Sequence, residues 1–599
     1  MLQSRARARG THCPRPSLRP RAPGGIYMQP TSSRPKRPSA WKRYGPLVAI
    51  LVAIAVVAVI VIAVNGGDDD SKANGNGNAD TNATTEELIR SGPMTTEKAK
   101  LLNEEVDFGK RCDEDTGRYA IPTTYSSLCV EPFKGDNGGA TAPGVSGDAI
   151  KIVAYVGDPA KNPLQAATVR SAGADVDVAT AKETIAGYAE LYSTYYETYG
   201  RQIDLQFYDG TGAPDDEVTA RADAKAIADM EPFAVLGGPG QTNAFSEEIA
   251  AEGILCLGDC ALAKPQRFTE DHAPYLWSTG PIPEQASELT AEMVGDILAG
   301  QKAEFAGSAD LRTQTRRFGA VHYNTPAGDQ TEAFQALADA LAERGAKLVA
   351  DQEFFLDLAR QQEIARTTIA KMKDAGVTTI IFYGDPLMPA ALTKEATAQD
   401  YFPEWVIGPN FLVDIALFGR TYDQQQWKHA FGIALSPART NQDANEAYNL
   451  YKWFHGEPPP NNTYGVLIPG ITNVMGGINL AGPKLTPQTF RDAMFRSPVT
   501  GGTPLSATVS RGHHGIWPGT DWGGSDDAAL IWWNPDAEGE DEVGRVGKGL
   551  YQYVDNGQRY VFGKMPTTDP GFFDPKNSIT IFETMPPQYA PPNYPSPAE

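Results

Sequence analysis

From Ala149 to Ile407 the chain alternates short apolar runs with longer segments of helical period, and this alternation leaves few folds open to it. Ile150–Val156 reads as an apolar strand. Thr180–Tyr199 reads as a helix with a capping-box start (Thr180 and Glu183), a stripe of Ile185, Tyr188, Tyr192, Tyr195 and Tyr199, and a stop at Gly200. Ile203, Leu205 and Phe207 alternate as a half-buried strand, Val218–Met230 is helical, and Phe233–Leu236 is a buried strand. Thr242–Glu252 is a helix stopped by Gly253 ahead of the strand Ile254–Leu257. The rhythm repeats with helix Glu284–Ala299, strand Phe318–Tyr323, helix Asp329–Arg344, strand Lys347–Glu353, helix Gln361–Ala375, strand Thr378–Tyr383, a short helix near Pro389–Ala398 and strand Trp405–Ile407. Strand–helix alternation of this length implies parallel sheets covered on both faces, and two such blocks in series imply two similar lobes.

Charge divides the chain before the first lobe begins. Eleven of the 52 Lys and Arg precede Gly45, and no Asp or Glu occurs until Asp68, so the head carries +11 and the remainder −33 of the net −22. Residues 1–46 read as a disordered basic leader. Leu47–Val64 is eighteen apolar residues without a charge, about 27 Å as a helix and just enough to span a bilayer core. Its flanking charges put the N-terminus inside. An uncleaved anchor is the expectation, and a cleaved signal peptide the alternative. The Asn/Gly/Asp/Ala tract that follows makes 65–96 a flexible linker, and 97–147 a Cys-bearing preface ending in a Gly-rich linker. Cys13 falls on the inner side. Cys112, Cys129, Cys256 and Cys260 fall outside, where disulfides Cys112–Cys129 and Cys256–Cys260 are expected from their closeness in sequence. A metal or redox site at Cys256–Cys260 is the alternative, but no His or second Cys pair lies near. The acidic outer portion argues against nucleic acid and anionic membrane surfaces as partners.

In open α/β sheets ligands bind beyond the carboxyl ends of the strands. The loops at those positions are small, polar and Gly-containing: 157–160, 237–242, 258–261, 324–328, 384–386 and 408–410. They nominate Asp158, Gly240, Gln241, Thr242, Asp259, Asn324, Asp385 and Asn410 as ligand-binding groups, with Tyr323 and Tyr383 as cleft aromatics. Thr242 has a structural alternative as a cap of the following helix.

At these segments the chain resembles type I periplasmic-binding proteins, specifically ABC-transporter substrate-binding proteins of the branched-chain amino acid (Leu/Ile/Val) class. The matching stretches are Ile150–Val153, Ile203–Asp209, Phe233–Gly238, Ala250–Leu255, Tyr275–Thr279, Thr378–Gly384 and Ile407–Asn410. Cys112 to Phe133 also looks like a preface found on large actinobacterial members. The resemblance implies a two-lobed clamp with three chain crossings between lobes, closing on a small solute that it delivers to an ABC permease. Its expected layout is lobe 1 over 148–282 with a return at about 411–470, and lobe 2 over 283–410 with a return at about 471–510. Residues 511–599 would then form an irregular C-terminal extension with short strands and a Pro-rich tail. The family's carboxylate-binding Ser and Thr align with Pro239 and Leu262, and its ammonium-binding acid with Asn410, which disfavours a free α-amino acid bound in the usual way. On this reading Tyr383→Ala with Asn410→Ala weakens capture and leaves the melting temperature nearly unchanged.

Signals for catalysis are weak. The chain has no nucleophile elbow, no phosphate loop with its Lys and no His-Glu-x-x-His. His513-His514 reads as a surface loop. Asp521, Asp526 and Asp527 could hold Ca²⁺ only outside the EF-hand spacing. The sequence therefore predicts a non-enzymatic receptor without cofactor or metal, monomeric outside the membrane and attached to it through 47–64, or secreted if that segment is cleaved. A ligand sensor or envelope-interaction protein using the same clamp is the alternative.

Overall fold

A computed structural model describes residues 84–598. The basic leader, the hydrophobic run Leu47–Val64 and Cys13 lie outside the described residues. Among those described, no helix is long and apolar enough to cross a membrane.

The first lobe is built from β1 (Ala149–Val156), α1 (Pro163–Ala172), α2 (Val178–Tyr195), β2 (Gln202–Asp209), α3 (Glu217–Ala228), β3 (Ala234–Leu236), α4 (Ala244–Ala251), β4 (Leu255–Leu257) and β5 (Leu276–Trp277). Its strands form a parallel sheet in the order β2-β1-β3-β4-β5. The second lobe follows with α5 (Pro283–Glu292), β6 (Phe318–Tyr323), α6 (Thr331–Glu343), β7 (Leu348–Phe354), α7 (Gln361–Asp374), β8 (Thr379–Gly384), α8 (Met388–Ala398), β9 (Glu404–Asn410) and β10 (Ala430–Ala434). Its parallel strands run β7-β6-β8-β9-β10, the same winding as lobe 1. The fully buried runs in β3, β4 and β10 carry no polar side chain, and β8 only Thr379 and Tyr383, because helices cover both faces of a parallel sheet.

The chain then returns in an order that differs from expectation. Ala430–Ala434 pairs with β9, so residues up to that strand belong to lobe 2, not to lobe 1. The helices α9 (Glu446–His455), α10 (Tyr464–Ala481) and α11 (Pro487–Arg496) instead bury Leu450, Ile471, Val474, Ile478 and Phe490 in the core cluster of lobe 1. Phe490 meets Phe233 and Trp277 edge-on at 6.2 and 5.8 Å.

The end of the chain is likewise more ordered than an irregular extension. The strands β11 (Asp527–Glu540) and β12 (Val546–Val554) form a hairpin that pairs antiparallel with β10. Two short strands, β13 (Arg559–Val561) and β14 (Ser578–Ile579), complete the sheet at nine strands. Trp532, Trp533, Tyr551 and Tyr553 from this hairpin are core residues of lobe 2.

Three stretches connect the lobes: 278–282, 435–445 and 497–526. The first and third are bonded together by Gly524 N to Gly280 O at 2.7 Å and Arg511 Nη2 to Ser278 O at 3.2 Å, and Gln285 Nε2 of α5 donates to Asp521 Oδ1 of the third at 2.9 Å. Asp526 also accepts from Ser510, and Asp527 forms an ion pair with Arg559 at 2.8 Å. These three carboxylates are therefore occupied by protein donors. Among the described residues no group of three or more His, Cys, Asp or Glu side chains is placed to hold a metal.

Both expected disulfides, Cys112–Cys129 and Cys256–Cys260, are present. The linkers are more structured than composition suggests. Thr85–Ser91 is a helix with a capping box between Thr84 and Glu87, inside the stretch expected to be flexible. The preface packs Tyr119, Ile121, Leu128 and Val130 into lobe 1. Arg201 pins the Gly-rich stretch by donating to Ser146 O, Asn137 O and Gly139 O. The Tyr-rich helix ends at Tyr195, not Tyr199, with Asp177 rather than Thr180 as its N-cap. Tyr196 is extended so that its hydroxyl accepts from Ser127 N, and Tyr199 donates to Asn479 O. Those tertiary bonds outweigh another helical turn.

Candidate functional site

The carboxyl ends of the two parallel sheets meet in a seam. Tyr323, the last residue of β6, donates from its hydroxyl to Gln241 O in the loop after β3, at 3.4 Å. Asn243 N donates to Asp329 Oδ2 at 3.1 Å, and Gln330 Nε2 to Ala263 O at 3.4 Å. Each bond runs from one lobe to the other.

On the lobe 1 side, two loops lie against one another. A side chain at Gly240 would come within 2.7 Å of Asp259 O, so the backbone approach there requires glycine. The Cys256–Cys260 disulfide anchors the short turn that carries Asp259 to β4. Asp259 is solvent-exposed at the seam, yet the surrounding protein mass raises its carboxyl to about 6 by desolvation. Beneath both loops lies Lys264, 1% exposed, donating to Thr242 O at 2.7 Å and Gly240 O at 3.4 Å. Burial lowers its ammonium to about 8, opposed by Asp329 and Glu247. Thr242 is buried and its hydroxyl accepts from Ala244 N in a turn just ahead of α4, whose N-cap position is Asn243, not Thr242.

On the lobe 2 side, Tyr383 is buried and donates to Gln330 Oε1 at 3.3 Å. Gln330 thus links a core aromatic to the opposite lobe. Asp385 Oδ1 accepts from Leu387 N and Met388 N at the start of α8, while its Oδ2 is enclosed without a hydrogen-bond partner. Desolvation raises this carboxyl to about 6 despite those bonds. Asp215, Asp329 and Asp385 all lie close enough to Tyr323 to raise its phenol further above its usual range, after burial itself.

Two nominated residues face other duties. Asn324 uses every hydrogen-bonding position of its amide, donating to Thr331 Oγ1 and Glu353 Oε2 and accepting from Thr325 N and Gln330 N. Its side chain is spent on the start of α6. Asp158 caps a turn by accepting from Ala160 N, on an excursion that carries α1 and places Ala172 and Ala174 in the apolar cluster of lobe 2. The backbone of Asn410 pairs with Gly384, beside Tyr323. Tyr383→Ala would open a core cavity, so the expectation of an unchanged melting temperature does not survive its burial.

The structure thus brings Gln241, Asp259, Tyr323, Tyr383 and Asp385 to the seam. Sequence reasoning missed Lys264, Asp329 and Gln330. Asp329 and Gln330 were read as the first turn of a helix, which left no reason to look across the gap. A cavity of about 220 Å³ lined by Phe108, Arg111, Tyr119 and Glu197 lies in the preface and shares no residue with the seam.

No family model matches the chain, and none of the curated proteins does. Among solved structures it is similar to the leucine-, isoleucine-, valine-, threonine- and alanine-binding protein of Brucella ovis in its closed conformation: 14% identity, TM-score 0.48, covering 72% of this chain and 100% of that one. It is also similar to a type 1 periplasmic binding protein of Bordetella pertussis (17% identity, TM-score 0.43, 67% of this chain and 100% of that one). A third is the fatty acid ABC transporter substrate-binding protein of Thermomonospora curvata (15% identity, TM-score 0.44, 70% and 94%).

Proposed function

We propose that this chain is an extracytoplasmic solute-binding receptor of an ABC-type uptake system, held at the membrane by Leu47–Val64, with a binding rather than a catalytic role. The observation that carries the reading is the seam: strand ends of two like-wound sheets joined by three connecting stretches, with direct hydrogen bonds between the lobes at Asn243–Asp329, Tyr323–Gln241, Gln330–Ala263 and Gln266–Glu284. Such a joint can hinge while aiming polar loop groups at whatever lies between. Tyr323, Gln330 and the carboxylates of Asp259 and Asp385 would orient the solute, with Lys264 holding the lobe 1 loops in shape. The replacement of the family's ammonium-binding acid by Asn410 favours a ligand other than a free α-amino acid.

Heat-denaturation of the full chain with leucine, decanoate, 3,4-dihydroxybenzoate and spermidine tests this. A bound solute at about a hundredfold over its Kd stabilises by about 2.7 kcal/mol. The gain should vanish in Tyr323→Phe with Gln330→Ala. A gain that persists in that variant would place binding elsewhere.

A further inference from the structure

The Pro-rich C-terminus does not trail away from the molecule. After β14 it joins the second connecting stretch: Phe582 N donates to Arg439 O at 2.9 Å, Asn441 N to Phe582 O at 3.2 Å, and Thr440 and Phe582 pair as a parallel bridge. Arg439 Nη2 also donates to Thr580 O at 2.9 Å. That connection between lobes is thereby a two-chain ribbon. Tyr589 then packs edge-on against Phe582 at 6.3 Å, still on lobe 2.

Beyond Tyr589 the tail crosses to lobe 1. Tyr594 O accepts from Trp453 Nε1 at 2.9 Å, and Ser596 Oγ donates to Trp453 O at 2.6 Å, both on α9. The Tyr594 hydroxyl donates to Asp113 Oδ2 in the preface at 2.6 Å. Only five peptide steps separate Tyr589 from Tyr594, a reach of at most about 18 Å when fully extended. Residues 583–598 include six prolines, so the segment is a stiff strut rather than slack chain.

We infer that the C-terminal tail is a fourth tether between the lobes, which limits how far the clamp opens; this rests on the hinged-clamp reading above. A hinge defined by three connections rotates until its own backbone resists. Here rotation must also lengthen a strut fixed to Phe582 at one end and to Trp453 and Asp113 at the other. Removing the lobe 1 anchors should therefore widen the range of lobe separations without altering either core, because Tyr594 and Ser596 are only partly buried.

The test is a spin-label distance measurement in the full chain carrying Cys13→Ser, with labels on Val218→Cys (80% exposed, lobe 1) and Val349→Cys (43% exposed, lobe 2). Four forms are compared: the intact tail, Tyr594→Phe with Ser596→Ala, a chain ending at Glu583, and a chain whose seam is locked by an Asn243→Cys/Asp329→Cys crosslink formed before labelling. The tether predicts that both tail variants show longer and broader distances than the intact chain, and the locked chain the shortest. If the intact chain is wider than the locked one but neither tail variant differs from it, the tether is wrong and the clamp stands. If all four coincide, the lobes do not move and both ideas fall.

Discussion

Lys264 offers a quantitative test of the seam's interior. It is 1% exposed and bonded to two backbone carbonyls rather than to a carboxylate, so its charge is held against a desolvation cost. The ammonium is lowered from 10.5 to about 8. In the unfolded chain it keeps the ordinary value, so between those two pH values the unfolded state binds more protons. Stability must then rise with pH across that window, and the penalty is fully present below pH 8. The difference of 2.5 units corresponds to about 3 kcal/mol at 1.36 kcal/mol per unit. In Lys264→Met the charge is gone, but Thr242 O and Gly240 O lose their donor, at about 1–3 kcal/mol. Near neutral pH these effects nearly cancel. By pH 10.5 the wild-type chain should exceed the variant by about 3 kcal/mol more than it does at pH 7. Guanidinium unfolding of both chains at pH 7, 8, 9.5 and 10.5 measures this, since other titrating groups are common to both. Parallel stability curves would refute the reasoning: the ammonium would not be desolvated, and the lobe 1 loops would not lie over it.

Other consequences follow from the same contacts. Trp533→Ala should cost about 3–5 kcal/mol in denaturant unfolding, because the residue is fully buried and donates to Gln424 Oε1 at 2.7 Å; a cost below 1 kcal/mol would detach the C-terminal hairpin from the lobe 2 core. Asp526 is buried beside Asp521, and burial with that neighbouring charge holds its carboxyl well above the aspartate range. The folded state therefore retains a proton that the unfolded state loses, stability declines as pH climbs above about 4, and Asp526→Asn should flatten that decline in a pH series of melting temperatures. Asp223→Ala should cost about 3 kcal/mol, since Tyr155, Tyr208 and Thr211 all donate to that one buried carboxylate; Asp223→Asn, with fewer acceptor sites, should cost less.

The parallel core was legible because its strands are fully buried and apolar while its helices keep a clear period. Ile150–Val156, Phe233–Leu236 and Phe318–Tyr323 fall within a residue or so of where pattern alone puts them. The returns were not legible. The helix over Tyr464–Ala481 contains Pro469 and is rich in Gly and β-branched residues, so nothing local announces it; its burial against lobe 1 stabilises it. The hairpin after Asp527 was visible only as its most apolar stretches, since its far half is exposed and polar. At the seam, strand ends located the right loops, but Asn324 and Gln330 show the limit. Adjacent in role and equally polar, one is consumed by a helix start and the other reaches the opposite lobe, a distinction that depends on which atoms already have partners.

The central claim is that the seam captures a small solute. Native mass spectrometry of the full chain, purified from its producing cells without refolding, addresses it directly. The account predicts a discrete small-molecule adduct on the wild-type chain that is lost from Tyr323→Phe with Gln330→Ala. A wild-type chain at its bare mass, or an adduct equally retained by the variant, would contradict it.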